Sequence, residues 1–173
     1  MKTQAINRLY LLKTFVGIAV ILFIFTFALN QVAHAAGTSS KSSSKSESAA
    51  QKRERANEYF AAGKSLQEKK SYKEASKKYE RAVSIDPGYA EAYSNLGYTY
   101  RKQEKFDKAV RAYKKAIKLN PSLAEAHEYL GEAYAEMGKF DLAEKELAIL
   151  RQLGSDETSE LEEFIAKMKK QKS

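Results

Sequence analysis

The chain has no cysteine and no tryptophan, and only two prolines and two histidines in 173 residues. Without cysteine there are no disulfides, thiolate-bound zinc, iron–sulfur clusters, thioether-linked haem or thiol nucleophile. A lipid-modified cysteine anchor is excluded for the same reason. Two prolines are well below ordinary usage, which points to helices with few interruptions. The formal charge of +8 has to be located before it says anything about partners.

The first segment differs from the rest. Residues 1–13 carry Lys2, Arg8 and Lys13 and no acid, and residues 14–29 carry no charge at all. Ala33 and Ala35 then place small residues two apart. A basic start, an apolar run and such a site describe a secretory signal peptide over residues 1–35. The alternative is an uncleaved anchor, in which residues 14–36 together approach the ~30 Å of a hydrocarbon core. Under both readings everything after residue 36 is expected outside the cytoplasm, which in a Gram-negative cell means the periplasm. There is no twin-arginine pair, so the general secretion route is expected. Without Lys2, Arg8 and Lys13 the +8 becomes +5, and His127 is the remaining histidine.

Residues 37–50 read GTSSKSSSKSESAA, with serine at half the positions. Such a segment buries too little apolar surface to offset its ordering entropy. A flexible spacer is therefore expected over residues 36–51.

The two prolines, Pro87 and Pro121, are 34 residues apart. Other positions keep the same period: Gly63, Gly97 and Gly131; Ala75, Ala109 and Ala143; Tyr59, Tyr93 and His127; Leu66, Tyr100 and Tyr134; Tyr79, Tyr113 and Leu147. In residues 90–103, Tyr93, Leu96, Gly97 and Tyr100 fall on one helical stripe. Residues 106–119 carry a second stripe of Phe106, Ala109, Val110, Tyr113, Ala116 and Ile117. Two such helices joined by a polar corner form an antiparallel hairpin. Gly97 and Ala109 are expected where the helices cross. Asn120-Pro121 closes the second helix, because proline disfavours helical geometry in the residue before it. Each hairpin leaves an apolar face that only a neighbour can cover, so hairpins stack.

This register resembles the tetratricopeptide repeat, in three units over residues 56–89, 90–123 and 124–157. The second unit matches best, with Tyr93 at the usual tryptophan position, the Leu96-Gly97 pair, Tyr100, Ala109, Tyr113, Ala116 and Pro121. The third departs most, with His127 for the aromatic and Ser155 for the closing proline. The resemblance implies an all-α solenoid of three hairpins, here a domain over residues 52–154.

Residues 155–173 are expected to end the stack as a seventh, capping helix. Gly154 stops the preceding helix, acids lead and lysines trail in the helix, and Leu161, Phe164, Ile165 and Met168 make one apolar stripe.

There is no glycine-rich phosphate loop and no H-E-x-x-H. His127 is expected to be a packed ring with one hydrogen bond. Neither catalytic residues, a metal site nor a cofactor is expected. Function then lies in surface, and the resemblance implies a non-enzymatic protein-interaction module. It would work as a scaffold or assembly factor of the cell envelope, holding a partner peptide or helix in a concave groove lined by the first helix of each unit. By register, the groove residues are Asn57, Phe60 and Lys64, then Glu91, Asn95, Tyr98 and Arg101, then Glu125, Tyr129 and Glu132. Phe60 and Tyr98 are expected as exposed anchors.

Co-chaperone members of the family grip a terminal carboxylate. At those places this chain has Phe60, Lys64, Asn95, Glu125 and Tyr129, of which Asn95 alone matches, so a heat-shock tail is not the expected ligand. The second helices of the first two units are basic, through Lys73, Lys77, Lys78 and Arg81 and through Lys108, Arg111, Lys114, Lys115 and Lys118. A membrane surface or an anionic envelope polymer is open as a further contact, while nucleic acid is not expected. A self-assembling structural protein is the alternative, because only residues 51–55 precede the first unit and its outer face is thinly covered.

Overall fold

The computed structural model describes residues 47–172. The expected signal peptide or anchor, and the spacer up to residue 46, lie outside the described residues. Within them are seven α-helices and no strand: α1 (Ala49–Glu68), α2 (Tyr72–Ile85), α3 (Ala90–Arg101), α4 (Phe106–Leu119), α5 (Ala124–Glu136), α6 (Phe140–Leu153) and α7 (Glu157–Lys172). The helices pair as α1 with α2, α3 with α4 and α5 with α6. Each second helix also packs on the next first helix, and α7 lies across both α5 and α6. This is the all-α solenoid of three hairpins with a capping helix.

The first helix starts earlier than its repeat. Ser48 caps it through a reciprocal pair with Gln51: the Gln51 N–H donates to Ser48 Oγ at 3.2 Å, and the Ser48 N–H donates to Gln51 Oε1 at 2.9 Å. Residues 49–51, expected in the spacer, are therefore helical. The expectation of self-assembly rests on a bare first unit, and α1 instead adds about two turns ahead of Ala56. Arg53 ties this extension down. Its Nε is 2.5 Å from Asp86 Oδ2, and its guanidinium carbon stands 4.1 Å above the Tyr89 ring. The exposed large apolar residues are Leu119 and Leu153, neither in the first unit.

The prolines act at the corners between units. Asp86 and Asn120 both take up extended backbone after the last helical turn. Their side chains close the turn by accepting from the N–H of Gly88 at 2.9 Å and of Ser122 at 3.2 Å. The corners inside units use a different device. Lys70, Glu104 and Gly138, again one period apart, all sit in the left-handed region at φ of 57°, 59° and 74°.

Glycines at the crossings let large side chains close over bare backbone. A Cβ at Gly63 would meet the Tyr79 ring at 2.7 Å, one at Gly97 the Tyr113 ring at 2.5 Å, and one at Gly131 Cδ2 of Leu161 at 2.5 Å. In the third unit the covering side chain thus comes from the capping helix. Leu161 and Ile165 are buried there, with Phe164 and Met168 packed beside them on the third-unit core.

Candidate functional site: the concave groove

The first helices α1, α3 and α5 line one side of the stack. Tyr98 on α3 and Tyr129 on α5 meet with ring centroids 5.2 Å apart. Tyr72, at the start of α2, leans edge-on against Tyr98 at 6.2 Å. All three tyrosines are half-buried, so they form an aromatic floor that still presents ring surface.

Beneath this floor lies Arg101, 4% exposed. Its guanidinium carbon is 5.6 Å from the Tyr98 ring and 5.9 Å from the Tyr129 ring. One terminal nitrogen pairs with Glu132, and the other donates to Glu136 Oε1 at 2.8 Å. Burial disfavours the positive charge, but Glu132, Tyr113 and Glu136 outweigh it and the pKa is raised. Register places Arg101 among the groove contacts, but the structure removes it from them. Its charge is spent inside the protein.

Asn95 is removed in the same way. It is 7% exposed. Its Nδ2 donates to the Glu91 carbonyl at 3.0 Å, and its Oδ1 accepts from the Tyr79 hydroxyl at 3.4 Å. Phe60 is half-buried, as Tyr98 and Tyr129 are. Its ring stacks at 5.6 Å from Tyr79 and 5.0 Å from Tyr89, joining the packing of α1 against α2 and the start of α3. Lys64 and Glu91 are exposed, while Asn57, Tyr98, Glu125, Tyr129 and Glu132 are half-buried. The half-buried rings on this side are therefore Phe60 at the α1 end and Tyr98 and Tyr129 between α3 and α5, with Tyr72 added by the fold.

The α5 end is acidic. Burial raises the Glu128 pKa to about 7, and Glu132, Glu157, Glu160 and Glu125 push it the same way. Glu125 is also raised by burial. The Lys64 ammonium across the groove opposes this, while Glu157 and Glu91 add to it. Glu132 is raised by burial against the pull of Arg101. Glu157 and Glu160 come from the first turn of α7, where sequence reading assigns them only to the helix dipole. No periodicity could place them here, because α7 lies outside the repeat.

His127 makes two hydrogen bonds rather than one. Nε2 lies 3.0 Å from the Pro121 carbonyl and Nδ1 lies 2.7 Å from Glu146 Oε2. Both partners are acceptors, so the geometry favours the doubly protonated ring. The Glu146 hydrogen bond raises its pKa, burial opposes this, and the Pro121 carbonyl and the Glu146 charge add to the rise. The ring is structural. Among the described residues no group of His, Asp and Glu could hold a metal ion, and no helix is long and apolar enough to cross a membrane.

The tetratricopeptide-repeat family model matches residues 56–103 and 97–138. Residues 56–138 are tetratricopeptide repeats. A search of curated proteins by sequence finds no match. Solved structures with the same repeat are numerous. The TPR2B domain of yeast Sti1 in its pHsp70 complex is 23% identical, with a TM-score of 0.63, covering 67% of this chain and 97% of that one. The first repeat domain of Spaghetti (RPAP3), bound to the HSP90 peptide SRMEEVD, is 23% identical with a TM-score of 0.61, covering 65% and 91%. The type III secretion translocator chaperone SycD of Yersinia enterocolitica is 13% identical with a TM-score of 0.62, covering 69% and 96%. At these identities the likeness is one of fold. In this repeat protein the carboxylate-gripping places hold a buried Asn95, a packed Phe60, and Lys64 already facing Glu125.

Proposed function

We propose that this repeat protein is a non-enzymatic interaction module that holds a peptide with basic side chains in its concave groove. The observation that carries this reading is the half-buried Tyr98–Tyr129 floor beside Glu125 and Glu128, carboxylates for which the domain forms no ion pair among the described residues. Tyrosines supply flat contact area at low entropic cost, and a lysine or arginine of the ligand would relieve the repulsion among the acids. Neighbours of the same fold, Sti1 and Spaghetti, are seen with heat-shock peptides. Here the acidic end disfavours a ligand carboxylate and favours a cation.

The protein works outside the cytoplasm, as a scaffold or assembly factor of the cell envelope. The basic, apolar and A-x-A pattern of residues 1–35 supports export. Cell fractionation tests it: a mature form released with the periplasm supports cleavage, recovery with the inner membrane supports the anchor, and cytoplasmic recovery overturns export.

Fluorescence anisotropy of the full chain with a lysine-rich peptide and its glutamate counterpart tests the groove. The lysine peptide should bind, more tightly at pH 8 than at pH 6 as Glu128 ionises. Tyr98→Ala/Tyr129→Ala and Glu125→Gln/Glu128→Gln should each weaken it. Equal binding of both peptides, or indifference to both double variants, would place the interface elsewhere.

A further inference from the structure

The convex side carries a second feature, independent of the groove. Helices α3 and α4 line a cavity of about 320 Å³ formed by Tyr93, Leu96, Tyr100, Lys108, Arg111, Ala112 and Lys115. Leu96 and Ala112 are buried, Tyr93 and Tyr100 half-buried, and Lys108 and Arg111 exposed. The cavity therefore has an apolar, aromatic floor and a cationic mouth.

The three cations share one face of α4, spaced three and four residues apart. The Lys108 ammonium lies 5.5 Å from the Tyr100 ring centre and the Lys115 ammonium 5.8 Å from that of Tyr93. None of the three makes an ion pair among the described residues, whereas Arg53, Arg55, Arg101, Arg151 and Lys169 do. Two carboxylates stand near the cavity: Asp86, whose charge adds to burial in raising the Tyr93 pKa and which pairs with Arg53, and Glu80. Its Oε1 accepts from the Tyr100 hydroxyl at 2.5 Å, and it shares that hydroxyl's surroundings with Arg111. With Asp86 paired to Arg53, Glu80 against three cations leaves a positive excess at the mouth.

We propose that this cavity is a binding site for a small amphiphilic anion: a flat apolar body, such as an aryl ring, bearing a phosphate or carboxylate head. The body lies on Tyr93, Leu96 and Tyr100 and excludes water from the floor. The head draws Lys108 and Lys115 from ring faces, where each cation gains little, and the exposed Arg111 from water, to charge-assisted hydrogen bonds, where they gain more. A bare inorganic anion has the second interaction without the first. An uncharged aryl compound has the first without the second.

Calorimetric titration of the full chain with phenyl phosphate, inorganic phosphate and benzyl alcohol tests this. Phenyl phosphate should bind one to one, with the other two weaker by about ten-fold or more. Lys108→Gln/Arg111→Gln/Lys115→Gln should lower its affinity by a similar factor. A control, Lys69→Gln/Lys145→Gln/Lys167→Gln, removes the same charge away from the cavity and should leave it unchanged. Five of the six substituted residues are exposed and Lys115 is half-buried, so both variants should keep the wild-type circular dichroism. Absence of phenyl phosphate binding, equal binding of inorganic phosphate, or equal loss in the control would overturn the site. Peptide binding in the groove should be untouched by the α4 variant, so the two sites stand or fall separately.

Discussion

The Tyr113 ring occupies the place where any side chain at position 97 would go, with Cε1 only 2.5 Å from an added Cβ at Gly97. The contact joins α3 to α4 and recurs between Gly63 and Tyr79. Tyr113 is fully buried, so its ring cannot swing out of the way. Gly97→Leu should therefore destabilise the domain by about 1–3 kcal/mol through overpacking. A thermal melt equal to wild type would refute the contact.

Arg101 should behave as a structural residue. Replacing it with Met leaves Glu132 and Glu136 facing each other without a cation. Removing one partner of a buried pair costs about 3 kcal/mol. Chemical denaturation should show a loss of this order, and binding measured below the transition should change less than in Tyr98→Ala/Tyr129→Ala.

His127 makes stability depend on pH. Its pKa is raised in the fold, so the folded state holds the proton more tightly than the unfolded chain, where the value is about 6.5. The stabilisation is complete below about 6.5 and is lost as pH rises through the raised folded value. The stability gap between wild type and His127→Phe should therefore shift against wild type between pH 6 and pH 9. A gap independent of pH would show that the ring is neutral in the fold.

Leu161 covers Gly131 and is fully buried. Leu161→Ala should cost about 2–5 kcal/mol by opening a cavity between α7 and α5. Because α7 also carries Glu157 and Glu160, its detachment should bring the Glu128 pKa down toward its ordinary value, which is readable by NMR titration.

Glu104 holds a left-handed backbone at φ of 59°, where a side chain costs about 1–2 kcal/mol. Gly138 fills the equivalent corner of the third unit. Glu104→Gly should raise the melting temperature, the relief of strain outweighing the added freedom of the unfolded chain. A lower melting temperature would refute the strain.

The 34-residue period and the apolar stripes were enough to determine the helices, their pairing and the capping helix. Those features depend on local periodicity and on proline and glycine chemistry, which are written along the chain. The groove was legible only as a register. Register says which way a side chain points, and Tyr98, Glu125 and Tyr129 lie near one another in the fold. It cannot say what else arrives there. Arg101 and Asn95 point toward the groove side but are covered, because Tyr129, Glu132, Glu136 and Tyr79 converge on them from other helices and Tyr98 lies over Arg101 from the same one. Tyr72, Glu157 and Glu160 reach the site from helices that the register excludes. Burial and charge sum over all neighbours in space, so only the tertiary structure decided which groove residues are free to bind. It also decided that the scarce histidine, read as a packed ring with one hydrogen bond, sits between Glu146 and the Pro121 carbonyl, which raise its pKa.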